Sequence, residues 1–345
     1  MLKWYEQIPL DSDVVISSRV RLARNLRTYP FSPKINEEQA SALVNEVKQI
    51  AGSLSEADNR RYYSCNISSL SEIDKIAMVE RHIVSPLLAE KQQTTGLILS
   101  DDETVSIMIN EEDHVRIQAI VGGIDIEQAY EEADRIDDIA YEKLHFAYDE
   151  KYGYLTVCPT NAGTGMRASC MVFLPALTAA RMIQKLMEEL GKYGVTIRGI
   201  YGEGTKSLGS IYQISNQKTM GVSESEIIEN LKRIVQQVVK QERKRREYML
   251  SVNTDEIEDQ VFRSYGVLKY ARQMSSDDAM ALLSQIKFGA DCGLIKFDRA
   301  FNVHKLMMGV QPGSLQWTLG KNVGSLTRDQ ARAEYIKREL PSVVS

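Results

Sequence analysis

The chain has 345 residues, 42 Lys plus Arg against 47 Asp plus Glu, a formal net charge of -5, 43% hydrophobic residues, 4 Cys and 4 His. That length suits two domains with a filled core and argues against a tail or a simple coiled coil. The mild acidity removes the simplest electrostatic case for direct nucleic-acid binding, so any anion site has to be local. No apolar run approaches the roughly 18 residues of a membrane span, and MLKWYEQIPLDSDVV has no apolar stretch behind a basic start. A cytoplasmic protein without membrane contact is expected. Cys65, Cys158, Cys170 and Cys292 show no CxxC spacing, and His82, His114, His145 and His304 are equally scattered. Neither a disulfide framework nor a zinc site is expected.

In chain order, residues 13–25 (DVVISSRVRLARN) alternate from Ser18 onward, with Val20 and Leu22 on one face and Arg19 and Arg21 on the other, the period of a half-buried strand. A helix is expected over 36–54 and a second over 71–85, ended by Pro86. TGLILS and TVSIMIN flank the polar turn at Asp101, Asp102 and Glu103 as a hairpin. The acidic burst Asn110-Glu111-Glu112-Asp113 leads into a strand over 114–121, and an acidic amphipathic helix covers 125–144. HFAYDEKYGYLTVCP reads as another hairpin, followed by the loop TNAGTG, the short apolar run SCMVFLP and a helix over 177–190. VTIRGIYGEG and SLGSIYQIS pair around a glycine-rich turn. Strands outnumber crossover helices here, which predicts an α+β fold with a largely antiparallel sheet. Beyond Gly221 the chain is helix-permissive: one long helix from Ser223 through the basic run Arg243 to Arg246, then helices at 255–274, 276–286, 298–308 and 327–340. The last starts on a capping-box pattern, Thr327 with Gln330. The expected division is a catalytic unit over 1–230 and an all-α unit over 231–345.

Two motifs mislead. GTGMRA at 163–168 matches a dinucleotide fingerprint, but the run behind it is short and β-like rather than helical. GIYGEGTKS lacks the lysine of a Walker A loop, since Thr205 follows Gly204. The basic run at 243–246 reads as a solvated helix face. More informative are SSRVRLARN, NEEDHVR, and CPTNAGTGMR followed by IRGIYGEGTKS, which set Arg19, Arg21, Arg24, Arg116, Arg167 and Arg198 beside glycine turns and acidic clusters. Guanidinium groups are planar forks matched to phosphate oxygens. Converging arginines would cradle a polyphosphate without a Walker loop, each pair being worth ~4 kcal/mol at ~4 Å before desolvation.

These blocks, in this order across 14–220, resemble the signature of the guanidino (phosphagen) kinase catalytic domain. No helical domain of ~100 residues precedes SSRVR, and a different helical domain follows. Together with Arg328-Asp329-Gln330-Ala331-Arg332-Ala333, this layout is similar to the bacterial branch that phosphorylates arginine side chains of proteins. The resemblance implies that Arg19, Arg21, Arg116, Arg167 and Arg198 surround the phosphates of ATP. It implies that Glu112 orients and deprotonates the acceptor guanidinium, that Glu203 grips it from the other side, and that Cys158 lies beside it. Glu111 would hydrogen-bond magnesium-bound water, with no direct protein ligand to the metal, and His82 would lie near the adenine. A second adenine-side histidine of the family is Met171 here. Arg328, Asp329 and Arg332 would bind phosphoarginine and couple it to activity.

The implied cofactors are ATP and Mg2+. The implied partners are misfolded proteins and a heat-shock repressor as substrates in a stress response, a Clp unfoldase-protease that degrades marked proteins, a small zinc-binding activator, and a second copy in a homodimer or higher oligomer. Two alternatives stand beside this reading: a kinase of free arginine or another small guanidine, and a non-catalytic phosphoarginine-binding adaptor.

Overall fold

A computed structural model describes residues 2–7, 12–200 and 207–344. Its centre is an eight-stranded, fully antiparallel sheet in the order β2-β3-β4-β5-β1-β8-β10-β9. The elements in chain order begin with β1 (Val15–Arg24), α1 (Glu37–Lys48), α2 (Ile50–Ala57), β2 (Tyr62–Asn66), α3 (Glu72–Glu80) and α4 (Pro86–Glu90). The hairpin β3 (Gly96–Ser100) and β4 (Val105–Ile109), β5 (Val115–Gly122) and α5 (Ile126–Tyr141) follow. Next come the small hairpin β6 (Tyr148–Asp149) and β7 (Gly153–Tyr154), then β8 (Met166–Phe173), α6 (Pro175–Ala179), α7 (Ile183–Gly191), β9 (Val195–Gly199) and β10 (Ile211–Asn216). Last are α8 (Glu224–Tyr270), α9 (Ser276–Asp291), α10 (Val303–Gly309), α11 (Pro312–Leu319) and α12 (Ser325–Glu339).

Most expected elements are present, and the differences have local causes. The helix expected over 36–54 is two helices that meet at Gln49; its start is the expected one, capped by Asn36 with Gln39 returning the bond. Pro86 does not end α3. That helix stops at Glu80, His82 takes φ 61, and Pro86 opens α4 at its first position, where its missing N–H has no intrahelical partner to lose. The helix expected over 177–190 is broken by Arg181 at φ 57. β2 and α11 went unforeseen, the first because its residues are half exposed and polar, the second because Pro312 opens it. The long helix does not stop near residue 250 but continues to Tyr270 across a break at Asn253. Thr327 is not a cap: α12 starts behind Gly324.

One sheet face is mostly apolar. Val20, Leu22, Ile117, Ala168, Cys170 and Ile214 project into a core closed by α1, α2, α5, α7 and the first half of α8. The other face is divided. Leu97 and Met108 pack with Ile83 and Leu88 at one end. Ile120, Met171, Phe173 and Ile211 join the C-terminal helices in a second large core at the other. Between these apolar patches lies the polar middle of β5, β1 and β8.

Candidate active site

Strand parity explains how distant arginines meet. Directly paired residues put their side chains on one face of a sheet. In this register Arg21 lies between Gln118 and Arg167, Arg19 between Ile120 and Ser169, Arg116 opposite Ala23, and Arg198 opposite Gln213, which pairs with Met171. Arg19, Arg21, Arg116, Arg167 and Arg198 therefore share the polar face, the convergence that spacing alone could not establish. Arg19 is steered by three neutral acceptors: Gln213 Oε1 at 2.9 Å, Ser169 Oγ at 3.4 Å and Gln118 Oε1 at 3.5 Å. Gln118 is itself fixed, donating to the His82 carbonyl at 2.8 Å and to Ser106 Oγ at 3.0 Å. Nothing in the motifs singled out Gln118, Gln213 or Ser169; their place opposite the arginines is the signal that finds them.

The charge arrangement is unfavourable without a ligand. Arg21 and Arg167 are paired directly opposite each other, and the Nε–H of each is buried without a hydrogen-bond partner among the described residues. Burial, reinforced by Arg116 and Arg167, pushes Arg19 down to about 10. Burial together with Arg19, Arg116 and Arg167 holds Arg21 well below an ordinary guanidinium. Arg167 is lowered by burial and then by Arg198 and Arg116. Like charges held close and left underpaired destabilise a fold, so their retention points to an anion that completes them. The orphaned donors fit a polyphosphate. Arg24 does not belong to the cradle: it is buried against Asp137, 2.7 Å away, with Tyr154 across its face.

Two carboxylates border the arginines. Asn110 at φ 58 begins a tight turn in which the Glu111 N–H donates to the Asp113 carbonyl. Glu111 pairs with Arg116 at 2.5 Å and accepts from Ser85 Oγ. Glu112 makes only a long 3.4 Å contact to the same arginine, and burial raises its pKa above an ordinary glutamate. It is thus the less tightly paired of the two. Asp113 joins this turn to neighbouring segments: its Oδ1 accepts from Asn25 Nδ2 at 2.7 Å and from the Val157 N–H at 2.8 Å. The second bond draws in the loop carrying Cys158, whose Sγ lies 2.9 Å from Thr160 Oγ1. His114 takes no place among ligands; its Nδ1 accepts from the Leu26 N–H, and its Nε2–H faces the Pro30 carbonyl.

The Cys158 loop ends at Gly165 with φ 65, where a Cβ would meet the Ala23 carbonyl at 2.6 Å. β8 begins at once, so the strand–turn–helix context of a dinucleotide fingerprint is missing. Glu203 lies outside the described residues. Among those described, no group of three His, Cys, Asp or Glu side chains is arranged to hold a metal ion.

His82 lies at the edge of the cradle, its ring centroid 6.4 Å from that of Trp4. Burial, with Arg19 and His304 nearby, pushes it down to about 3, so it is neutral. Met171 is on the same sheet face and buried. Arg328, Asp329 and Arg332 are distant in the fold, on α12. Arg332 is 1% exposed and donates to the carbonyls of Val310 and Met274 and to Asp329 at 2.5 Å, so this helix face is not merely solvated. Arg328 Nε is buried without a partner. The basic run was also misjudged as simple solvated surface: Arg243 pairs with Asp13, and Arg246 is buried on Glu242.

An antiparallel sheet presenting clustered arginines beside two carboxylates suits a site that binds a polyphosphate. The comparisons agree. The model for the ATP:guanido phosphotransferase C-terminal catalytic domain matches residues 42–245, and that for the protein-arginine kinase McsB C-terminal domain matches residues 254–345. A protein-arginine kinase of Brevibacillus brevis is 41% identical over 99% of this chain and 96% of its own length. Another, of Caldanaerobacter subterraneus, is 42% identical over 96% and 98%. Among solved structures, a lombricine kinase aligns with TM-score 0.60 and 22% identity over 68% of this chain and 67% of that one. The duplicated taurocyamine kinase of Schistosoma mansoni aligns with TM-score 0.59 and 23% identity, over 77% of this chain and 38% of that one. The chain belongs to the ATP:guanido phosphotransferases, in their protein-arginine kinase branch. Central strand β1, with Arg19 and Arg21, precedes residue 42, where the catalytic-domain match begins, and is tied to the domain by sheet pairing.

Proposed function

We propose that this enzyme transfers the γ-phosphoryl group of ATP to arginine side chains of proteins. The observation that carries the reading is the single sheet face shared by five arginines, two with orphaned Nε–H donors, beside a carboxylate of raised pKa. In this reading Arg19, Arg21, Arg116, Arg167 and Arg198 hold the phosphates and offset charge as it spreads over the transferred group. An arginine side chain has a pKa above ~12 and is a poor nucleophile until it loses a proton. Glu112 takes that proton as the N–P bond forms. The bond from the γ-phosphorus to the β-bridging oxygen breaks, and its electron pair leaves with ADP. Glu203 is assigned the second grip on the guanidinium and Cys158 a place beside it. His82, neutral and against Trp4, is assigned to the adenine end.

Oxygen donors suit magnesium, which would enter on the nucleotide with Glu111 holding its water and would offset phosphate charge. Arg328, Asp329 and Arg332 are assigned to phosphoarginine binding and its coupling to activity, and the orphaned Arg328 Nε supports an anion there. Full-length likeness to protein-arginine kinases supports the wider reading. It comprises a cytoplasmic stress-response enzyme acting on misfolded proteins and a heat-shock repressor, a Clp unfoldase-protease reading the mark, a small zinc-binding activator, and self-association. A division into catalytic (1–230) and helical (231–345) units is assigned with a shared margin: the first core takes α8 as far as Val238, and the C-terminal helices pack in a second core that also takes Ile120, Met171 and Phe173 from the sheet.

The deciding experiment incubates the enzyme with magnesium ATP and either free arginine or an unstructured arginine-rich protein. Acid-labile, base-tolerant phosphate on protein arginine supports the proposal. Transfer to free arginine alone selects the small-guanidine kinase, and no transfer selects the adaptor.

A further inference from the structure

On the opposite side of the sheet from the arginines, α7 and α8 border a groove of about 400 Å³. Its two banks have the same spacing. Met182, Lys185, Leu186 and Glu189 run along the α7 side, and Gln241, Lys244, Arg245 and Tyr248 along α8, each set at i, i+3, i+4 and i+7. That period presents one helical stripe on each bank, a surface into which a third helix can pack. The floor is apolar and anchored in the main core through Leu177 and Leu186. Met182 is 37% exposed and Tyr248 56%, so apolar surface is left uncovered at both banks.

The α8 bank is tied to the start of α6 beside the groove. Glu242 is fully buried and accepts from the Ala176 and Leu177 N–H groups at 3.0 Å each, capping the start of α6. The same carboxylate pairs with buried Arg246 at 2.8 Å. The groove is therefore built before anything occupies it, which limits the ordering cost of binding.

Its charge departs from that of the whole molecule. Lys185, Lys244 and Arg245 face one acid, Glu189, in a protein whose net charge is -5. Neither Lys244 nor Arg245 forms an ion pair with a described residue. The Arg245 guanidinium lies 4.8 Å from the Tyr248 ring centroid, and its Nε is buried with no hydrogen-bond partner. An apolar floor, helical spacing on both banks and unpaired cations at the rim specify the complementary ligand. We infer that this groove docks an acidic amphipathic helix of a partner protein, its apolar ridge against Leu177, Leu186 and Tyr248 and its carboxylates against Lys244 and Arg245. Occupancy leaves the arginine cradle on the other sheet face open.

The test pans a displayed library of helical peptides of about 15 residues, roughly four turns, on the full chain. Selected peptides are expected to combine apolar residues at helical spacing with flanking Asp or Glu. A fluorescent consensus peptide should bind saturably, and Lys244→Glu with Arg245→Glu should weaken it by about tenfold or more while favouring a Lys-flanked peptide. Tyr248→Ser, at an exposed position, should weaken both peptides without moving the melting temperature. Selection without acidic enrichment, or equal affinity for the charge-reversed protein, overturns the inference. It is also overturned if sedimentation shows that the wild type self-associates through this face and the charge-reversed protein does not, because the occupant is then a second copy.

Discussion

Glu112→Gln separates catalysis from binding at this site. The substitution keeps size and a hydrogen-bonding oxygen but removes the base. General-base removal costs about 10²- to 10⁴-fold, or ~2.7–5.4 kcal/mol of transition-state stabilisation. Nucleotide affinity should change little, because the only described ionic contact of Glu112 is the 3.4 Å approach to Arg116, and Arg116 keeps Glu111 at 2.5 Å. A pH signature accompanies the loss. Burial raises the Glu112 pKa, and the active form is the carboxylate, so wild-type turnover declines as pH falls through that raised value. The residual activity of the Gln variant should lack that acid limb. The assay counts acid-labile phosphate on an arginine-rich protein across pH, with ATP affinity measured by calorimetry. Transfer within tenfold of wild type, or an equal loss of ATP affinity, refutes the assignment.

Arg21→Met should raise the melting temperature of the ligand-free protein by relieving a buried, underpaired cation, yet shrink the stabilisation given by ATP. Loss of a charged hydrogen bond worth ~1.5–3 kcal/mol predicts an ATP affinity about 10- to 150-fold weaker, readable by calorimetry. Arg332→Ala should destabilise the fold by ~2–4 kcal/mol in urea denaturation, since it strips a buried cation from two carbonyls, whereas Arg328→Ala should stay within ~0.5 kcal/mol while abolishing saturable phosphoarginine binding. His304 is pushed down to about 3 by burial against an unfolded value near 6.5, so the unfolded chain binds the extra proton between those values and stability must fall as pH drops through that window. His304→Gln should show a smaller shift in urea midpoint between pH 7 and pH 5 than the wild type does.

Much of the site was legible because strand parity is a strict rule. The alternation of Val20 and Leu22 with Arg19 and Arg21 placed two cations on the face away from the core, and the register carries Arg116, Arg167 and Arg198 to that face. Register itself was not legible: it depends on which strands pair, and β1 is joined on both sides by strands roughly 100 and 150 residues later. The same limit hid Gln118, Gln213 and Ser169, ordinary polar residues until their strands are aligned. Helix ends were misread wherever a residue took positive φ, at His82 and Arg181, because the local pattern carries on through a break that tertiary packing imposes. Burial of Arg332 and Arg246 was likewise hidden, since a basic residue on a polar helix reads as solvated until its partners arrive from elsewhere.

The divided sheet face also explains how a helical unit can bear on catalysis. Its core begins on Ile120, Met171 and Phe173, the same face whose middle carries the arginines. A second connection runs through three consecutive residues at the end of α3. Glu80 accepts from the Gly313 and Ser314 N–H groups at the start of α11, Arg81 lies 4.5 Å from the Trp317 ring and pairs with Glu103, and the His82 carbonyl holds Gln118, which faces Arg19. Arg332 of α12 meanwhile clamps the Val310 carbonyl just ahead of α11. A contact at α12 is thus linked to a phosphate-side arginine through α11 and this short segment. Linkage of this kind transmits nothing by itself; a ligand at Arg328 shifts catalysis only by binding two arrangements of the segment with different affinity. The segment ends a helix at a positive-φ histidine and is joined to α11 by capping bonds and a cation–π contact, and to the β3–β4 turn by the Arg81–Glu103 pair. Its buried arginine pairs with Glu103, itself at φ 58, so any displacement of α11 has to be absorbed at the turn between β3 and β4 or passed on to Gln118.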